Sequence, residues 1–527
     1  MPTPHEFGIL LWFDLAATGR GIIVTTSPGV APNIAIIGAG LGGIAAAVNL
    51  TRAGITSFTI FEQSAGPGGT WWDNTYPGAE CDIDILFYSY SFQPHDWKRT
   101  HASQREIQAY VQTVIDRFEL TSRIRYGTRI VDAVWDDRKQ GYDLTTAGGE
   151  RMHAGIVVSA VGLLNVPRYP DWPGIETFRG PKFHTARWEH EHDLAGKHVA
   201  VVGTGSSAAQ VVPAIAPIAG RVTMFSREPA YVLPKNERDL TAGERRRFAS
   251  GLGRRLARAT YFLNIERGMA VRDPKSKRQR DTVARYAHYK DATFAGRPAL
   301  RAWASPAYPF ACKRPVFSSD LYPALLRENV ELVPRAVTRV TESGVVDSDG
   351  NEYPADVLVM ATGFQPWDFL KNFRLVGRAG RTIAGVWGDE PEAFLGMQVA
   401  GFPNFFMMYG PNTNFFCVTF MLERQAEYIA RAVRRLVRAK ATSIDVRRSV
   451  MDFYNRHVTR ALSKKTLEGD CSNYYHSASG KNVVTWPWWG SVYVILTRLG
   501  GLACYTRRAT AETAPRHLEP ERSHVRG

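Results

Sequence analysis

Two glycine-rich turns hold the residues of this sequence that are best able to do chemistry. Each turn follows an apolar strand, at 34–37 and at 198–202, and leads into a helix of small residues. The first glycine of such a turn allows a tight bend, and the second lets the backbone approach a pyrophosphate at the helix N-terminus. Both turns therefore predict dinucleotide binding. The predicted contacts are Gly38, Gly40 and Gly43 in the first turn, and Gly203, Gly205, Ser206 and Ser207 in the second.

The two units differ in the charge that follows their second strand. Glu62 lies 24 residues after Gly38, and Arg227 lies 24 residues after Gly203. A carboxylate here accepts hydrogen bonds from the hydroxyls of an adenosine ribose, whereas a guanidinium suits a ribose 2'-phosphate. The pair predicts FAD in the first unit and NADPH in the second. NADH stays open for the second unit, because the neighbouring Glu228 could pair with Arg227.

A third motif, at 68–82, follows the pattern Gly-Gly-x-Trp-x4-Tyr-Pro-Gly-x3-Asp. At every fixed position it resembles the first fingerprint of the Baeyer-Villiger monooxygenases. These flavoproteins insert one oxygen atom of O2 beside a ketone carbonyl through a flavin C4a-peroxide. The resemblance implies further FAD contacts at Gly69, Thr70, Trp71 and Asp82.

The segment 178–189 resembles the second fingerprint of the same family. It follows the pattern Phe-x-Gly-x3-His-Thr-x2-Trp, and Glu189 stands where the family has proline or aspartate. In the family this histidine lies in the linker that couples the two dinucleotide domains. The resemblance implies that His184 helps to orient the nicotinamide cofactor.

A Lys-Arg pair at 313–314 resembles the family's catalytic pair. The resemblance implies that Lys313 reaches the NADP phosphate and that Arg314 lies over the flavin, with Asp82 as its partner. A fixed guanidinium would stabilise both the anionic peroxide and the oxyanion of its ketone adduct.

Two later segments extend the resemblance. In related enzymes the turn at 410–412 approaches the isoalloxazine ring, which implies a FAD contact at Asn412. The segment 471–489 and the sequence Asn-Thr-Tyr-Pro at 74–77 resemble the branch that contains 4-hydroxyacetophenone monooxygenase. Trp486 is a candidate substrate contact in that branch, and a simple packing role is an equal alternative.

The elements that must position these residues predict an α/β fold class. We expect two Rossmann-like dinucleotide-binding domains, for FAD and NADPH, with a helical insert. The predicted parts are an N-terminal extension at 1–31, an FAD-binding domain at 32–167 and 355–490, a linker at 168–194, an NADPH-binding domain at 195–354 with a basic helical insert at 236–301, and a C-terminal tail at 491–527.

The formal charge of +15 is concentrated in the insert. Within the predicted basic helix 244–263, Phe248, Leu252, Leu256 and Leu263 recur at helical spacing among arginines. Such a helix can make a weak contact with an anionic membrane surface. We favour the alternative that its apolar stripe packs inward. Nucleic acid is not predicted, since no binding motif accompanies the charge, and the oligomeric state is left open.

The five cysteines are scattered, which predicts a reduced, cytoplasmic protein. No metal-ligand spacing is present, so no metal is predicted. The N-terminal apolar run is too short for a signal peptide, and the run at 491–506 is too short to span a bilayer.

These observations predict an NADPH-dependent FAD monooxygenase whose partners are a ketone and O2. One alternative is an N- or S-oxygenating flavin-containing monooxygenase, which Arg314 disfavours because a cation favours the nucleophilic peroxide. A disulfide reductase would need a second redox cysteine near Cys81. A non-oxygenating flavin oxidoreductase is the remaining alternative.

Overall fold

The computed structural model describes residues 32–365, 369–370, 373–415, 417–465, 471, 473–500 and 505–509. The predicted N-terminal extension at 1–31 and the end of the predicted tail at 510–527 lie outside these residues.

The described chain alternates strands and helices. The strands are β1 (Ile34–Ile37), β2 (Phe58–Phe61), β3 (Ile124–Arg125), β4 (Ile130–Asp136), β5 (Gly141–Thr146), β6 (Arg151–Ala154), β7 (Ile156–Ser159), β8 (Lys182–His184), β9 (His198–Val202), β10 (Arg221–Phe225), β11 (Val232–Leu233), β12 (Val316–Phe317), β13 (Val330–Val333), β14 (Val337–Val340), β15 (Gly344–Asp347), β16 (Glu352–Pro354), β17 (Val357–Met360), β18 (Arg374–Val376), β19 (Phe405–Met407), β20 (Ala441–Val446) and β21 (Tyr505–Ala509). The helices are α1 (Leu41–Arg52), α2 (Thr70–Asp73), α3 (Ile85–Tyr88), α4 (Gln104–Arg117), α5 (Ser206–Ile215), α6 (Ala242–Ala249), α7 (Gly251–Gly268), α8 (Lys277–Thr293), α9 (Pro298–Trp303), α10 (Leu321–Ala324), α11 (Ile383–Trp387), α12 (Val418–Arg438), α13 (Arg448–Leu462) and α14 (Gly490–Leu499).

Two five-stranded parallel sheets form the framework. Their strand orders are β19-β7-β1-β2-β3 and β13-β10-β9-β17-β8. Strands β1 and β9 are apolar along most of their length because helices and loops cover both faces of a parallel sheet. In each sheet the central strand feeds a glycine turn and a helix, as the sequence predicts for two Rossmann-like units.

The first glycine of each turn has the same physical role. Gly38 has φ +105°, and a Cβ there would lie 2.6 Å from the carbonyl oxygen of Ala160. Gly203 has φ +140°, and its Cβ would lie 2.2 Å from the carbonyl oxygen of Ala361. Both turns are therefore closed against the carboxyl end of the adjacent parallel strand, where only glycine fits.

The predicted basic helix 244–263 is two helices, α6 and α7, separated by Ser250. Buried polar groups, together with Phe262 and Ile265, anchor α7 rather than the predicted leucines. In α7 the buried side chains include Arg258 and Glu266. Arg258 Nη1 donates to the carbonyl oxygen of Ser89 at 2.9 Å, and Ser491 Oγ donates to Glu266 Oε2 at 2.7 Å. These contacts turn the helix so that Leu252 is 67% exposed and Leu256 is 37% exposed. The expectation that this stripe packs inward is therefore wrong for these two leucines.

The region predicted as a C-terminal tail begins as part of the fold. Helix α14 packs against α12, and β21 pairs antiparallel with β20. Tyr493 explains the packing, because its buried hydroxyl donates to the carbonyl oxygen of Leu395 at 2.8 Å and accepts from Gln425 at 2.9 Å. None of the helices in the described ranges is both long and apolar enough to cross a membrane.

The cysteines do not all stay as free thiols. Cys312 and Cys471 form a disulfide, although 159 positions separate them in the sequence. Cys81 and Cys417 are free and buried, and Cys504 lies outside the described residues. The expectation of a fully reduced chain is thus wrong for one pair, because the fold brings together two residues that the sequence keeps far apart.

Candidate active site

A cavity of about 420 Å³ lies where the two sheets meet. It combines residues of both glycine turns, of the 68–82 motif and of the Lys-Arg segment. The predicted site residues that line it are Gly38, Gly40, Glu62, Gly69, Thr70, Trp71, Asp82, Ser206, Ser207 and Arg314.

The flavin side of the cavity fits a dinucleotide. Gly40 and Gly69 face each other so closely that a Cβ on Gly69 would lie 3.1 Å from the Cα of Gly40. Glu62 is 5% exposed, and its two carboxylate oxygens accept from the backbone N–H groups of Ala39 at 2.7 Å and Ser64 at 2.8 Å. Each oxygen keeps a second lone pair for a ribose hydroxyl. The backbone cradle and the held carboxylate match the needs of FAD.

Gly43 supports this cradle from behind. It does not line the cavity; a Cβ at this position would lie 1.9 Å from the carbonyl oxygen of Gly38. Glycine here lets α1 start directly against the turn.

Arg314 and Asp82 form the ion pair that joins the two halves of the cavity. Arg314 Nη2 lies 2.8 Å from Asp82 Oδ1 and 2.7 Å from Oδ2. The carboxylate is 13% exposed and the guanidinium 36% exposed, so the cation is held in place and still reaches the cavity. The nearby Asp82 raises the pKa of Arg314, which keeps it charged at every working pH.

The second predicted cation has a different partner. Lys313 Nζ forms a salt bridge with Glu228 and lies 4.7 Å from the centre of the Tyr308 ring. Thr204, in the second glycine turn, donates through Oγ1 to the carbonyl oxygen of Glu228 at 3.1 Å. Arg227 is exposed beside them. Glu228 thus pairs with Lys313, whereas the sequence left open a pair with Arg227. Lys313, Arg227 and Glu228 lie near the second glycine turn and do not line the cavity.

His184 lies outside the lining of the cavity and is fully buried. Its Nδ1 accepts from the backbone N–H of Ala186 at 3.1 Å, so its Nε2–H donates to the carbonyl oxygen of Gly363 at 3.0 Å. Burial lowers the pKa of His184 to about 4. A neutral ring with both nitrogens engaged does not exchange protons with a ligand. The role of His184 in orienting the nicotinamide cofactor stays a prediction.

This geometry agrees with the comparisons to known proteins. A Baeyer-Villiger monooxygenase of Streptomyces coelicolor is 38% identical over 93% of this chain and 95% of its own length. One of Pseudomonas aeruginosa is 35% identical over 92% of this chain and 94% of its own length. The chain belongs to the Baeyer-Villiger monooxygenases.

Family and structure comparisons support the same assignment. A family model described as pyridine nucleotide-disulphide oxidoreductase matches residues 35–242. A closed crystal structure of cyclohexanone monooxygenase has a TM-score of 0.82 and 28% identity, over 91% of this chain and 99% of its own. A steroid monooxygenase bound to NADP has a TM-score of 0.80 and 27% identity over the same shares. These findings confirm the predicted family, the fold class with two dinucleotide-binding domains, the FAD and NADPH cofactors and the monooxygenase activity.

Two predicted contact residues of this Baeyer-Villiger monooxygenase have partners within the protein. Asn412 is 4% exposed, and its amide donates to the carbonyl oxygens of Asn482 at 3.0 Å and Thr485 at 3.3 Å. Trp486 is fully buried and packs on Trp488 and Tyr493, with ring centroids 5.0 and 4.9 Å apart. Neither lines the cavity. The FAD contact at Asn412 and the substrate contact at Trp486 stay predictions. In this structure both side chains hold the C-terminal segment, which for Trp486 agrees with the packing alternative.

The cavity also contains residues that the sequence did not single out. Tyr88 Oη accepts from Trp71 Nε1 at 3.1 Å, and Tyr409 Oη donates to Asn414 Oδ1 at 3.1 Å. Tyr474 reaches the cavity from the C-terminal segment. A signal existed for Tyr409, which directly precedes the 410–412 turn, whereas Tyr88 stands in an otherwise ordinary apolar helix.

The buried His184 predicts a loss of stability in acid. Its pKa is about 4 in the folded state and about 6.5 in the unfolded chain, so the unfolded chain binds the extra proton between these values. The free energy of unfolding should fall by up to about 3 kcal/mol as the pH falls from 6.5 to 4. We expect urea midpoints at pH 7 and pH 5 to differ less in His184→Gln than in the unchanged enzyme. Equal differences would show that another group, such as His101, governs the effect.

Proposed function

We propose that this enzyme converts a ketone to an ester or lactone with NADPH and O2. One observation carries the proposal: Arg314, held by Asp82, presents a permanent cation to the cavity between the FAD and NADPH units. A developing oxyanion is stabilised best by a donor that is fixed before the reaction begins. Held in this way, Arg314 needs little reorganisation.

The residue roles follow from the two halves of the cavity. FAD, when bound, accepts a hydride from NADPH and activates O2. Glu62 binds its ribose, and the backbone at Gly40 and Gly69 admits its pyrophosphate. The N-terminus of α5 at Ser206 and Ser207 receives the NADPH pyrophosphate, and Arg227 and Lys313 bind its 2'-phosphate. Arg314 binds the ketone oxygen as its negative charge grows.

Oxygen insertion beside a carbonyl is favoured over oxygenation of nitrogen or sulfur. An attack on a carbonyl creates an oxyanion that needs a cation, whereas transfer of oxygen to an amine or thioether creates none on the substrate. The position of Arg314 supports the first reaction. The disulfide Cys312–Cys471 does not line the cavity, so it does not support a disulfide reductase.

The test is a panel of aliphatic, cyclic and aryl ketones incubated with enzyme, NADPH and 18O2. The expected product is an ester or lactone that carries one 18O atom in the new C–O–C bridge, with one NADP formed per product. Matched thioethers and tertiary amines serve as competing substrates. If the enzyme forms a sulfoxide or an N-oxide and converts no ketone to an ester, it is an N- or S-oxygenating monooxygenase instead.

The exposed part of the basic helix supports the predicted weak contact with a membrane surface. Leu252 and Leu256 stand one helical turn apart on α7, where Arg255 is also exposed, and Arg246 and Arg247 are exposed on the preceding α6. Within the described part of the chain, none of these three arginines forms an ion pair. An anionic bilayer complements both the charge and the apolar pair. Co-sedimentation with vesicles containing phosphatidylglycerol should fall at least fivefold in Leu252→Ser/Leu256→Ser. Ile218→Ser, which changes an exposed apolar residue elsewhere, is the control; equal loss in both would refute the contact.

The branch is inferred from resemblance, the domain boundaries from the pattern of elements, and the cytoplasmic location from the scattered cysteines. Membership of the branch that contains 4-hydroxyacetophenone monooxygenase, the domain boundaries and the cytoplasmic location stay predictions, and the oligomeric state stays open.

A further inference from the structure

The loop that carries Arg314 is covalently joined to the C-terminal segment that carries Tyr474. Cys312 stands two residues before Arg314, and Cys471 stands three residues before Tyr474. Their Cα atoms are 6.3 Å apart in the disulfide. Both Arg314 and Tyr474 line the central cavity. The disulfide therefore joins two segments that both contribute a side chain to the lining of the cavity.

A hydrogen bond reinforces the join. Asn473 Nδ2 donates to the carbonyl oxygen of Cys312 at 3.1 Å, while its Oδ1 accepts from the backbone N–H of Tyr475 at 2.8 Å. One side chain thus fixes the backbone on both sides of the join. Tyr475 is buried against Tyr474, with ring centroids 4.5 Å apart, so Tyr474 is supported from behind.

The arginine loop needs such support. Ala311 has φ +68°, a left-handed conformation that is unfavourable for a residue with a Cβ and persists only where the surroundings fix it. On one side Gln279 Nε2 donates to the carbonyl oxygen of Phe310 at 3.1 Å. On the other side stand Cys471 and Asn473. Removal of the second group would take away the contacts that join the backbone of this loop to the C-terminal segment.

We propose that Cys312, Cys471 and Asn473 are positioning residues that hold Arg314 and Tyr474 at the cavity. The thiol–disulfide state of the two cysteines then sets how much ester forms, and how much hydrogen peroxide is released, for each NADPH consumed. This inference rests on the proposed function of Arg314. In the reduced state Arg314 keeps its charge and Asp82, but the covalent join is lost and the Asn473 hydrogen bond alone connects its loop to the segment of Tyr474. Lys313, which the proposed function gives to the NADPH 2'-phosphate, lies on the same loop, so flavin reduction in the two states is compared at saturating NADPH. Under that condition we expect the two half-reactions to separate.

The chemistry of the switch balances with two ordinary reagents. A dithiol breaks the S–S bond by giving two electrons and two protons, which yields two thiols and its own cyclic disulfide. Hydrogen peroxide reverses the step: two thiols give up two electrons and two protons, the S–S bond forms, and the peroxide becomes two molecules of water. A flavin enzyme that reduces O2 without oxygenating a substrate releases this same peroxide.

The first test compares peroxide-treated enzyme with enzyme reduced by dithiothreitol and then freed of it. Ester formed per NADPH consumed should fall at least tenfold on reduction, with a matching rise in hydrogen peroxide, and a second peroxide treatment should restore it. The anaerobic rate of flavin reduction by NADPH should change less than twofold. Cys471→Ser should behave as the reduced enzyme, and Asn473→Ala should lie between. The double variant Cys312→Ser/Cys471→Ser should not respond to dithiothreitol, while Cys417→Ser, which changes a free buried thiol, should respond fully.

A second test does not depend on activity. Alkylation of the unfolded, peroxide-treated protein should leave Cys312 and Cys471 unmodified, and reduction should speed backbone hydrogen exchange in 312–316 and 473–476. Full alkylation of both cysteines, or unchanged exchange, would overturn the proposal. Equal ester yield in both redox states would overturn it while the function stands. If the oxidised enzyme oxygenates no ketone, the proposed function fails, and alkylation and exchange alone then decide whether the join exists.

Discussion

Replacement of Arg314 with alanine should abolish ketone oxygenation while FAD remains bound. Loss of a fixed donor to a developing oxyanion typically costs about 10²- to 10³-fold in rate, and here the donor also carries the full positive charge. The FAD contacts at Gly40, Glu62 and Gly69 do not involve Arg314. NADPH should still be consumed, with hydrogen peroxide as the product. Ester, peroxide and NADPH are measured in the same reaction.

The control must separate the lost cation from the carboxylate left behind. Asp82 is 13% exposed, so its charge without Arg314 is costly and can weaken the fold. The variant Arg314→Ala/Asp82→Asn removes both charges and should also make no ester, with a melting temperature near that of the unchanged enzyme. Arg314→Lys keeps the charge but not the planar fork, and should recover only part of the rate. Turnover of a ketone at the normal rate by Arg314→Ala would contradict the role given to this residue.

Replacement of Arg227 with alanine should weaken NADPH binding by about 1.5 to 3 kcal/mol and leave NADH binding nearly unchanged. The value is that of a lost hydrogen bond to a charged group, and NADH lacks the 2'-phosphate that would accept it. Arg227 is exposed, so the change should not disturb the fold. Dissociation constants for both cofactors give the result. Arg221→Ala removes an arginine from the start of the same strand β10, where it pairs with Glu331, and is the matched control.

Glu228 sharpens this prediction. It forms a salt bridge with Lys313, and a 2'-phosphate would compete for the same ammonium group. Glu228→Gln should therefore tighten NADPH binding and leave NADH unaffected. Equal changes for the two cofactors in Arg227→Ala and in Glu228→Gln would show that these residues do not read the phosphate.

Prediction from sequence worked where chemistry depends on short spacing. The glycine turns, Glu62 and the 68–82 motif each lie within one strand-turn-helix unit, so neighbouring residues fix their geometry. The pairing of Arg314 with Asp82 was available only through the resemblance to a known family, since 232 positions separate the two. The structure shows that Arg314 Nη2 contacts both carboxylate oxygens of Asp82.

Side-chain partners far along the chain were not predictable. Asn412 and Trp486 were assigned to ligands through the family resemblance, which does not show that the Asn412 amide bonds a backbone about 70 residues away or that Trp486 is buried in the core. The stripe at Leu252 and Leu256 was expected to pack inward because periodicity shows that a helix has an apolar face. Periodicity does not show which face of the helix packs against the rest of the protein. The face that carries the buried Arg258 and Glu266 does so here.

The sequence by itself determined the family, the two dinucleotide units and the charges that distinguish their ligands, because those properties are written in contiguous motifs. Only the tertiary structure decided that both ring nitrogens of His184 are hydrogen-bonded to the backbone, that Glu228 pairs with Lys313, and that Cys312 joins Cys471. Each of these depends on which distant segments the fold brings within a few ångströms, and no local pattern records that distance.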